Sequence, residues 1–401
     1  MRRHLLAFSG FAILALAGPA LALPTPAAPV RRFAPAGARG IQTGPPIFEP
    51  YQAYAVGSWP ESTAILDVTG DGRSDVLMTT TFYFDPDNDY KLFVFVQRPD
   101  GTLKTPIKLD TDIQYGGLAE LATGDVNGDG RSDVAISTAS GVDVFLNKGT
   151  KLGTRRLIPT SDEVFSLVIA DMNADGRNDI VVAGRLGLQI LMNTGHGFTA
   201  TSVTTDPQWE IEVGDLNGDG RLDIAGCSGL NECAPTLNVF TQQSDGSFTL
   251  QTYQAVTDYW SGGDGVAVGD VTGDGRADAM LTIPGNQPGA LINVWHQLPD
   301  GTLSDPFVYD SYDIPEPVAV ADVNGDGRND VVTLHGGWND AGVYYQRPTG
   351  DLFPESLYPI PYASHYNMRG FAVGDINGDG LADIALADYN NGLVVLRQKA
   401  P

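Results

Sequence analysis

The sequence has little cysteine, little histidine and little positive charge. Its two cysteines, Cys227 and Cys233, lie close together in 401 residues, which excludes a multi-cysteine metal cluster and a disulfide-dense small fold. Five histidines leave little material for catalysis. Lysine and arginine number 24 against 49 acids, so the formal net charge is −25 at pH 7. A surface this acidic repels nucleic acid and anionic lipid, so we expect no nucleic-acid partner.

Long apolar runs are also missing, except at the start of the chain. Residues 1–22 combine the basic pair Arg2 and Arg3, the apolar run LLAFSGFAILALAG and a small-x-small cleavage site at Ala20–Ala22. We predict a cleavable signal peptide there, with the Sec and Tat routes both open. The sequence therefore predicts a secreted or periplasmic protein without membrane insertion, which we expect to be a monomer.

Two further features follow from export. Residues 23–45 (LPTPAAPVRRFAPAGARGIQTGP) are rich in Pro, Ala and Gly and lack apolar periodicity, so we predict a flexible linker. Cys227 and Cys233 are predicted to form a local disulfide, because exported proteins meet oxidising conditions. Two free buried thiols are the alternative.

One acidic motif occurs seven times, each time with Asp at position 1, Asn or Thr at 3, Asp at 5, Gly at 6 and Asp at 9. The copies are DVTGDGRSD from Asp67, DVNGDGRSD from Asp125, DMNADGRND from Asp171, DLNGDGRLD from Asp215, DVTGDGRAD from Asp270, DVNGDGRND from Asp322 and DINGDGLAD from Asp375. Oxygen ligands on alternate residues of a curled loop can converge on a Ca²⁺-sized cation. The motif shows no built-in cationic partner for its three carboxylates, so we expect each loop to be unstable without metal.

The spacing of the motifs predicts the fold. They recur at a period near 50 residues, which is typical of propeller blades and solenoid units. Each unit reads as four short β-strands, A to D, with the acidic loop between A and B and a Gly-bearing hairpin turn between C and D. The seventh unit lacks strand D, while residues 47–56 form a spare strand at the start. Pairing the two closes a ring, so we predict an all-β, seven-bladed propeller over residues 46–401.

The motif begins like an EF-hand loop, but position 12 never carries the acid that an EF-hand needs. Those positions hold Met78, Ile136, Val182, Gly226, Leu281, Thr333 and Leu386. The pattern instead resembles the FG-GAP/VCBS repeats of integrin alpha subunits and exported bacterial proteins. The resemblance implies up to seven structural Ca²⁺ sites, with Thr69 and Thr272 giving the weaker ones. It implies as ligands Asp67, Thr69, Asp71, Arg73, Asp75, Asp125, Asn127, Asp129, Arg131, Asp133, Asp171, Asn173, Asp175, Arg177, Asp179, Asp215, Asn217, Asp219, Arg221, Asp223, Asp270, Thr272, Asp274, Arg276, Asp278, Asp322, Asn324, Asp326, Arg328, Asp330, Asp375, Asn377, Asp379, Leu381 and Asp383, where position 7 contributes its carbonyl.

Function is expected on the face opposite the acidic loops, which the B–C and D–A connections form. Aromatic residues precede most A strands, and we predict that six of them bind a glycan or protein ligand: Trp59, Tyr115, Trp209, Trp260, Tyr312 and Tyr366. The alternative is that these rings, with Phe165, plug the channel mouth. Two insertions would shape the face: residues 79–91, whose Asp85, Asp87 and Asp89 would form an acidic rim, and the loop closed by the two cysteines.

Catalysis has little support in the sequence. Only His335 and His365 fall in connections of that face, and a His365–Tyr366 pair could serve as base and acid in a polysaccharide lyase. The first hypothesis is a non-catalytic binding module for a glycan or protein, and the second is a carbohydrate-active, lyase-like enzyme. We predict no catalytic residue.

Overall fold

The computed structural model describes residues 32–33, 47–114, 118–229, 233–257, 262–286, 289–367 and 369–399. Within these ranges the chain forms 29 strands and no helix. The predicted signal peptide lies outside the described residues. Within the predicted linker, the described part is β1 (Arg32–Phe33), whose backbone pairs in parallel with the outer strand of the fifth sheet.

Apart from β1, which adds a fifth strand to one sheet, the strands form seven antiparallel sheets of four strands, so the predicted seven-bladed propeller is confirmed. The A strands of blades 1 to 7 are β3 (Pro60–Leu66), β7 (Leu121–Gly124), β11 (Val164–Ala170), β15 (Gln208–Gly214), β19 (Val266–Gly269), β23 (Pro315–Ala321) and β27 (Phe371–Gly374). The B strands are β4 (Asp75–Thr80), β8 (Asp133–Thr138), β12 (Asp179–Gly184), β16 (Asp223–Ser228), β20 (Asp278–Ile283), β24 (Asp330–His335) and β28 (Asp383–Asp388).

The C and D strands complete each blade outwards. The C strands are β5 (Lys91–Phe95), β9 (Gly141–Phe145), β13 (Gly187–Asn193), β17 (Thr236–Gln242), β21 (Leu291–Trp295), β25 (Trp338–Tyr344) and β29 (Gly392–Leu396). The D strands are β6 (Ile107–Asp110), β10 (Arg156–Pro159), β14 (Phe198–Thr204), β18 (Phe248–Gln254), β22 (Phe307–Asp310), β26 (Ser356–Ala363) and, for blade 7, β2 (Gln52–Tyr54).

Burial explains why these segments are strands. The B strand β12 reads DIVVAG and is buried at every residue, as a strand covered on both faces should be. The D strand β14 has no buried residue, because it lies at the outer edge of its blade. Seven apolar clusters make up the core, and each joins residues of two neighbouring blades. Val142 and Leu167, for example, belong to one cluster from blades 2 and 3.

The ring closes where the sequence predicted. Strand β2 pairs antiparallel with β29, with Ala53 opposite Val394. The pairing continues beyond the strands, because Glu49 donates its N–H to the Arg397 carbonyl at 2.8 Å and Lys399 donates to Ile47 at 2.6 Å. The seventh core cluster joins blades 7 and 1 around residues such as Phe93. The start and the end of the propeller thus share one sheet.

Candidate functional site

Each acidic loop curls around the carboxylate of its first Asp. In the second loop, Asp125 accepts the N–H of Gly128 through Oδ1 and that of Gly130 through Oδ2, both at 2.7 Å. Gly130 has a φ of 82°, a left-handed conformation that favours glycine and explains the Gly at position 6. Partial burial would raise the pKa of Asp125, but these backbone hydrogen bonds hold it below its ordinary value.

The ninth Asp has a different role in the structure, because it joins the loop to strand C. Asp133 accepts the N–H of Val126 at 3.1 Å and that of Asn147 at 2.7 Å. The same two bonds recur in all seven blades, and every one of these Asp side chains is buried. In the fifth blade, burial raises the pKa of the ninth Asp, Asp278, to about 7, although its two hydrogen bonds from backbone N–H groups act in the opposite direction. These carboxylates therefore fix the backbone by hydrogen bonds and are also candidate ligands for a metal ion.

The arginine at position 7 supplies a cation within the loop, which the sequence analysis missed. Arg131 pairs with the carboxylate of Asp129 and donates Nε–H to the Asn147 carbonyl at 3.1 Å. All six arginines pair with the fifth Asp, and all except Arg73 also donate Nε–H to a carbonyl at the end of strand C. Leu381 leaves the seventh loop without this cation. The expectation that the motif lacks a built-in cationic partner was therefore wrong for six loops.

An amide side chain at or just beyond the end of strand C links each of five blades to the blade before it. The donors of blades 2 to 5 and their carbonyl acceptors are Asn147 to Asp67 at 3.1 Å, Asn193 to Val126 at 2.8 Å, Gln242 to Met172 at 2.7 Å and Gln297 to Asp215 at 3.0 Å. Gln97 of blade 1 makes the same bond to Ile376 of blade 7. We call these side chains the amide latches. The recurring Asn or Gln at the end of each C strand was visible in the sequence, but only the structure gives its partner.

The loop residues fit calcium by donor chemistry, since carboxylates, amide or hydroxyl oxygens and a carbonyl form the all-oxygen set that Ca²⁺ prefers. Burial is the main cause of the raised pKa of Asp133, and the charges of Asp129 and Asp125 raise it further, so the three carboxylates lie within electrostatic range. Across the described ranges, no three His, Cys, Asp or Glu side chains converge into a ready metal cluster. Thr69 and Thr272 turn their hydroxyls to the first Asp of their own loops. Calcium binding stays a prediction.

The opposite face, which we call the variable face, is formed by the B–C and D–A connections. Three predicted aromatic residues are partly exposed at this face: Trp59 and Tyr312 lie in D–A connections, and Trp209 lies at the start of strand β15. Trp59 stacks on Tyr389 with ring centroids 4.7 Å apart, Trp209 lies 4.9 Å from Phe165, and Tyr312 meets Trp338 at 5.3 Å.

The other three predicted aromatic residues do not contribute in the same way. Tyr115 and Trp260 lie outside the described residues. Tyr366 differs from the expectation, because it is 1% exposed and packs in the core between blades 6 and 7. A ligand on the variable face therefore has no access to the Tyr366 ring in this structure.

The two histidines of that face are held by carboxylates. His335 is buried, with Nε2 2.9 Å from Glu355 Oε1 and Nδ1 3.0 Å from the Asp313 carbonyl. His365 places Nδ1 2.8 Å from Glu316 Oε1. Burial raises the pKa of Tyr366, and its hydroxyl is enclosed, so His365 and Tyr366 are not presented together as base and acid. The geometry gives no support to a lyase.

The insertions also differ in part from expectation. Asp89 is buried and binds backbone, so it does not belong to the predicted acidic rim, whereas Asp87 is exposed. The predicted disulfide between Cys227 and Cys233 is present, with Cα atoms 5.3 Å apart. It closes the second insertion beside the carbonyl of Asp264.

Among the residues that the structure describes, polar side chains cross the centre of the ring. Arg369 of blade 7 donates to the Ile211 carbonyl of blade 4 at 2.9 Å and pairs with Glu212 at 2.8 Å. Glu210 lies 3.5 Å from the same guanidinium. Burial raises the pKa of the neighbouring Glu120 to about 7, although the charge of Arg369 opposes this. Phe165 packs beside Trp209 instead.

Comparisons with known proteins agree with this architecture. The FG-GAP-like repeat matches residues 67–136, 125–182, 171–226 and 322–386. Mouse integrin alpha-IIb is 37% identical over 112 residues, which cover 23% of this chain and 11% of that protein. The chain thus spans about a tenth of this relative. In the part of the chain that the structure describes, no helix has the length and apolarity to cross a bilayer.

Two solved structures share the fold. One is a lectin of Agrocybe aegerita studied for its specific recognition of non-reducing terminal N-acetylglucosamine, with 22% identity, a TM-score of 0.55 and coverage of 83% of this chain and 87% of that one. The other is BBS1N in complex with ARL6DN, with 12% identity, a TM-score of 0.60 and coverage of 88% and 97%. At these identities the likeness shows the fold alone. The repeat matches, the seven loops and the closed ring together show that the chain belongs to the FG-GAP-like repeat family.

Proposed function

We propose that this protein is a secreted, calcium-stabilised propeller that binds a glycan or protein ligand through its variable face without chemistry. One observation carries the proposal. The acidic loops repeat one geometry in every blade, whereas the variable face carries partly exposed aromatic rings on connections that differ from blade to blade. Binding residues are commonly placed on variable loops of a rigid scaffold, and aromatic rings supply contact area at low entropic cost.

The structural relatives support a binding role without naming a ligand. The lectin binds a sugar, and BBS1N is in complex with a protein, so this ring architecture serves both kinds of ligand. Fold likeness alone does not transfer either ligand to this chain. The arrangement of His335, His365 and Tyr366 favours binding over catalysis, since two carboxylates hold the histidines and the tyrosine is enclosed.

The calcium part of the proposal depends on the loops. Asp, Asn or Thr, and carbonyl oxygens at alternating positions would hold the ion, which would neutralise carboxylates that now repel one another. The disulfide is compatible with an oxidising compartment, as secretion requires. The predicted signal peptide, residues 1–22, supports the same location.

Binding can be tested with the mature protein on a glycan array and by affinity capture with defined peptides. Trp209→Ala should weaken binding by about 1–3 kcal/mol, the cost of removing a central aromatic contact. Asp219→Ala, in an acidic loop, should lower thermal stability and leave the affinity of folded protein nearly unchanged. Loss of binding with Asp219→Ala but not with Trp209→Ala would mean that the loops themselves contact the ligand.

Calcium can be tested separately by melting and by titration calorimetry. A ligand that binds only the folded state stabilises it by mass action, so millimolar Ca²⁺ should raise the melting temperature above that with excess chelator. Metal should stabilise the seventh loop most, because this loop has Leu381 in place of the arginine. Equal melting temperatures with and without Ca²⁺, together with no heat of binding, would reject the calcium proposal and leave the binding face untouched.

A further inference from the structure

The insertion between β4 and β5 carries an exposed aromatic tip on the variable face. Phe84 is 82% exposed and Tyr83 is 53% exposed. The rings pack in two groups that are adjacent in the chain: Phe82 lies 4.5 Å from Phe84, and Trp59 lies 5.2 Å from Tyr83. Tyr389 extends the row from blade 7, stacked on Trp59. We call Trp59, Phe82, Tyr83, Phe84 and Tyr389 the aromatic ridge. Exposed apolar surface that is concentrated in one place commonly marks an interaction site.

The backbone at the tip of the ridge is strained. Phe84 has a φ of 58°, in the left-handed region that bulky side chains rarely adopt. Such a conformation costs free energy and persists only where the surrounding structure enforces it. Because the Phe84 ring is almost fully solvent-exposed, burial of that ring does not repay the strain. Strain combined with exposure of a large apolar ring points to a functional role.

One buried carboxylate enforces the strained conformation. Asp89 accepts the N–H of Tyr83 at 2.8 Å and that of Asp85 at 2.9 Å, so the backbone is fixed on both sides of Phe84. Ser58 donates its hydroxyl to the same carboxylate at 2.6 Å, which ties the insertion to the D–A connection. The ridge is therefore organised before any ligand arrives, and preorganisation lowers the entropic cost of binding.

A glycine lets the insertion lie against that connection. Gly57 has a φ of 75°, and a Cβ there would come within 2.9 Å of Asn88 Nδ2 and 3.1 Å of Asp85 Oδ2. A side chain at this position would push the insertion away from Ser58 and Trp59. The contact between the tip and the rest of the ridge thus depends on local features of blade 1.

We propose that the aromatic ridge docks a protein partner that offers an apolar pocket for Phe84 with basic side chains around it. The inference rests on the proposed binding function and names the class of ligand. Phe84 has no polar side-chain atom and protrudes, so it needs a pocket rather than a hydrogen-bonding cradle. Tyr389 stacks on the ring of Trp59, and the ring of Tyr83 lies beside it at 5.2 Å. Little of the Trp59 ring face is therefore left for a sugar to stack on.

Charge identifies the rim of the partner's pocket. Asp85 follows Phe84 directly and is partly buried, and Asp87, two residues further on, is exposed. The whole chain carries a net charge of −25, so a basic partner is attracted and an acidic one is repelled. An apolar anchor beside carboxylates therefore matches an apolar pocket bordered by lysine or arginine.

The test uses a phage-displayed random peptide library selected on the mature wild-type protein in Ca²⁺. Selected peptides are then measured by fluorescence polarisation against wild type, Phe84→Ala, Phe84→Gly and Phe353→Ala. Phe353 is a matched control, because it is 44% exposed but lies beside Arg347 in a C–D connection. We expect enriched peptides that combine apolar and basic residues, with affinity about tenfold or more weaker for both Phe84 variants and unchanged for Phe353→Ala.

Phe84→Gly separates binding from folding. Glycine adopts positive φ without strain, so this variant should melt no lower than the Phe353→Ala control while it loses the peptide. A large drop in melting temperature would show that the ring is structural and would overturn the proposal.

Other outcomes also decide the matter. Selection of no peptide overturns the proposal. Peptides that ignore Phe84 but are lost with Trp209→Ala overturn the ridge as the docking site and keep the proposed binding face. Peptides lost only with acidic-loop variants of folded protein reject both. Phe84-dependent binding to phosphatidylcholine vesicles instead of peptides would assign the ridge to a lipid surface, against a protein partner.

Discussion

The two faces of the propeller follow different rules. On the loop face, the same Asp, Gly and Arg positions make the same bonds in blade after blade, and the amide latches join neighbouring loops. On the variable face, each blade has its own connection, and blade 1 alone carries the strained, exposed Phe84. Repetition on one face indicates a structural task that every blade shares. Variation on the other face indicates a contact made at one place, with a partner that is not seven-fold symmetric.

On the loop face, substitution of the ninth Asp should lower the stability of the fold most. Asp133→Ala leaves the N–H groups of Val126 and Asn147 buried without an acceptor, so we expect a loss of about 2–5 kcal/mol. Urea unfolding in excess chelator measures this loss without any metal contribution. In the same loop, Asp129→Ala removes an exposed ion pair with Arg131 and an exposed hydrogen bond from the Arg131 N–H, and it should cost only about 1 kcal/mol or less. Equal losses would contradict the distinction between the two carboxylates.

Carboxylates are buried at the centre of the ring, between the two faces. They allow a test of whether burial determines the pKa of a carboxyl group. The pKa of Glu120 is raised to about 7 by burial beside Glu210 and Arg369. A raised folded pKa means that the contribution of Glu120 to stability is complete below about pH 4.5 and is lost as the pH rises through 7. The glutamine of the Glu120→Gln variant cannot ionise. Between pH 5 and pH 8 the free energy of unfolding of the variant should therefore fall by about 1–2 kcal/mol less than that of wild type. Chemical unfolding at both pH values in saturating Ca²⁺ checks this, and parallel losses would refute it.

The amide latches should have a smaller effect that is specific to an interface. Gln242→Ala removes the 2.7 Å bond to Met172 and should cost about 1 kcal/mol. The equivalent side chain Gln346 has no hydrogen-bond partner among the described residues, which makes Gln346→Ala a matched control with little effect. Thermal melting compares the two variants. A control that costs as much as Gln242→Ala would show that the latch bond is not the source of stability.

The smallest effect is expected for the loop arginines. Arg177→Leu copies the natural seventh loop and should cost less than about 1 kcal/mol without metal, because the ion pair with Asp175 is partly exposed. Bound Ca²⁺ would neutralise the same carboxylates, so the difference from wild type should shrink in millimolar Ca²⁺. Melting with and without metal provides the comparison. A larger difference in Ca²⁺ would argue that the arginine and the ion do not share this role.

Much of the fold was available from the sequence, because its determinants are local and repeated. The seven motifs gave the number of blades, the short β-type runs and Gly-bearing turns gave four strands per blade, and the missing last strand predicted that residues 47–56 close the ring. The pairing of Cys227 with Cys233 was also local. Each of these depends on residues that are near in sequence or on a period, which a single chain displays directly.

Other features depended on the ring itself. The link from Arg369 to Ile211 joins residues 158 positions apart and exists only because closure brings blades 7 and 4 face to face across the channel. Tyr366 looked like its exposed counterparts in sequence but became buried between two blades. The exposure of Phe84 was likewise invisible, since its φ is fixed by hydrogen bonds from an insertion that has no repeat to reveal its shape. The sequence alone determined the blades and their order, whereas the tertiary structure decided which side chains reach solvent, because that depends on distances across the closed ring.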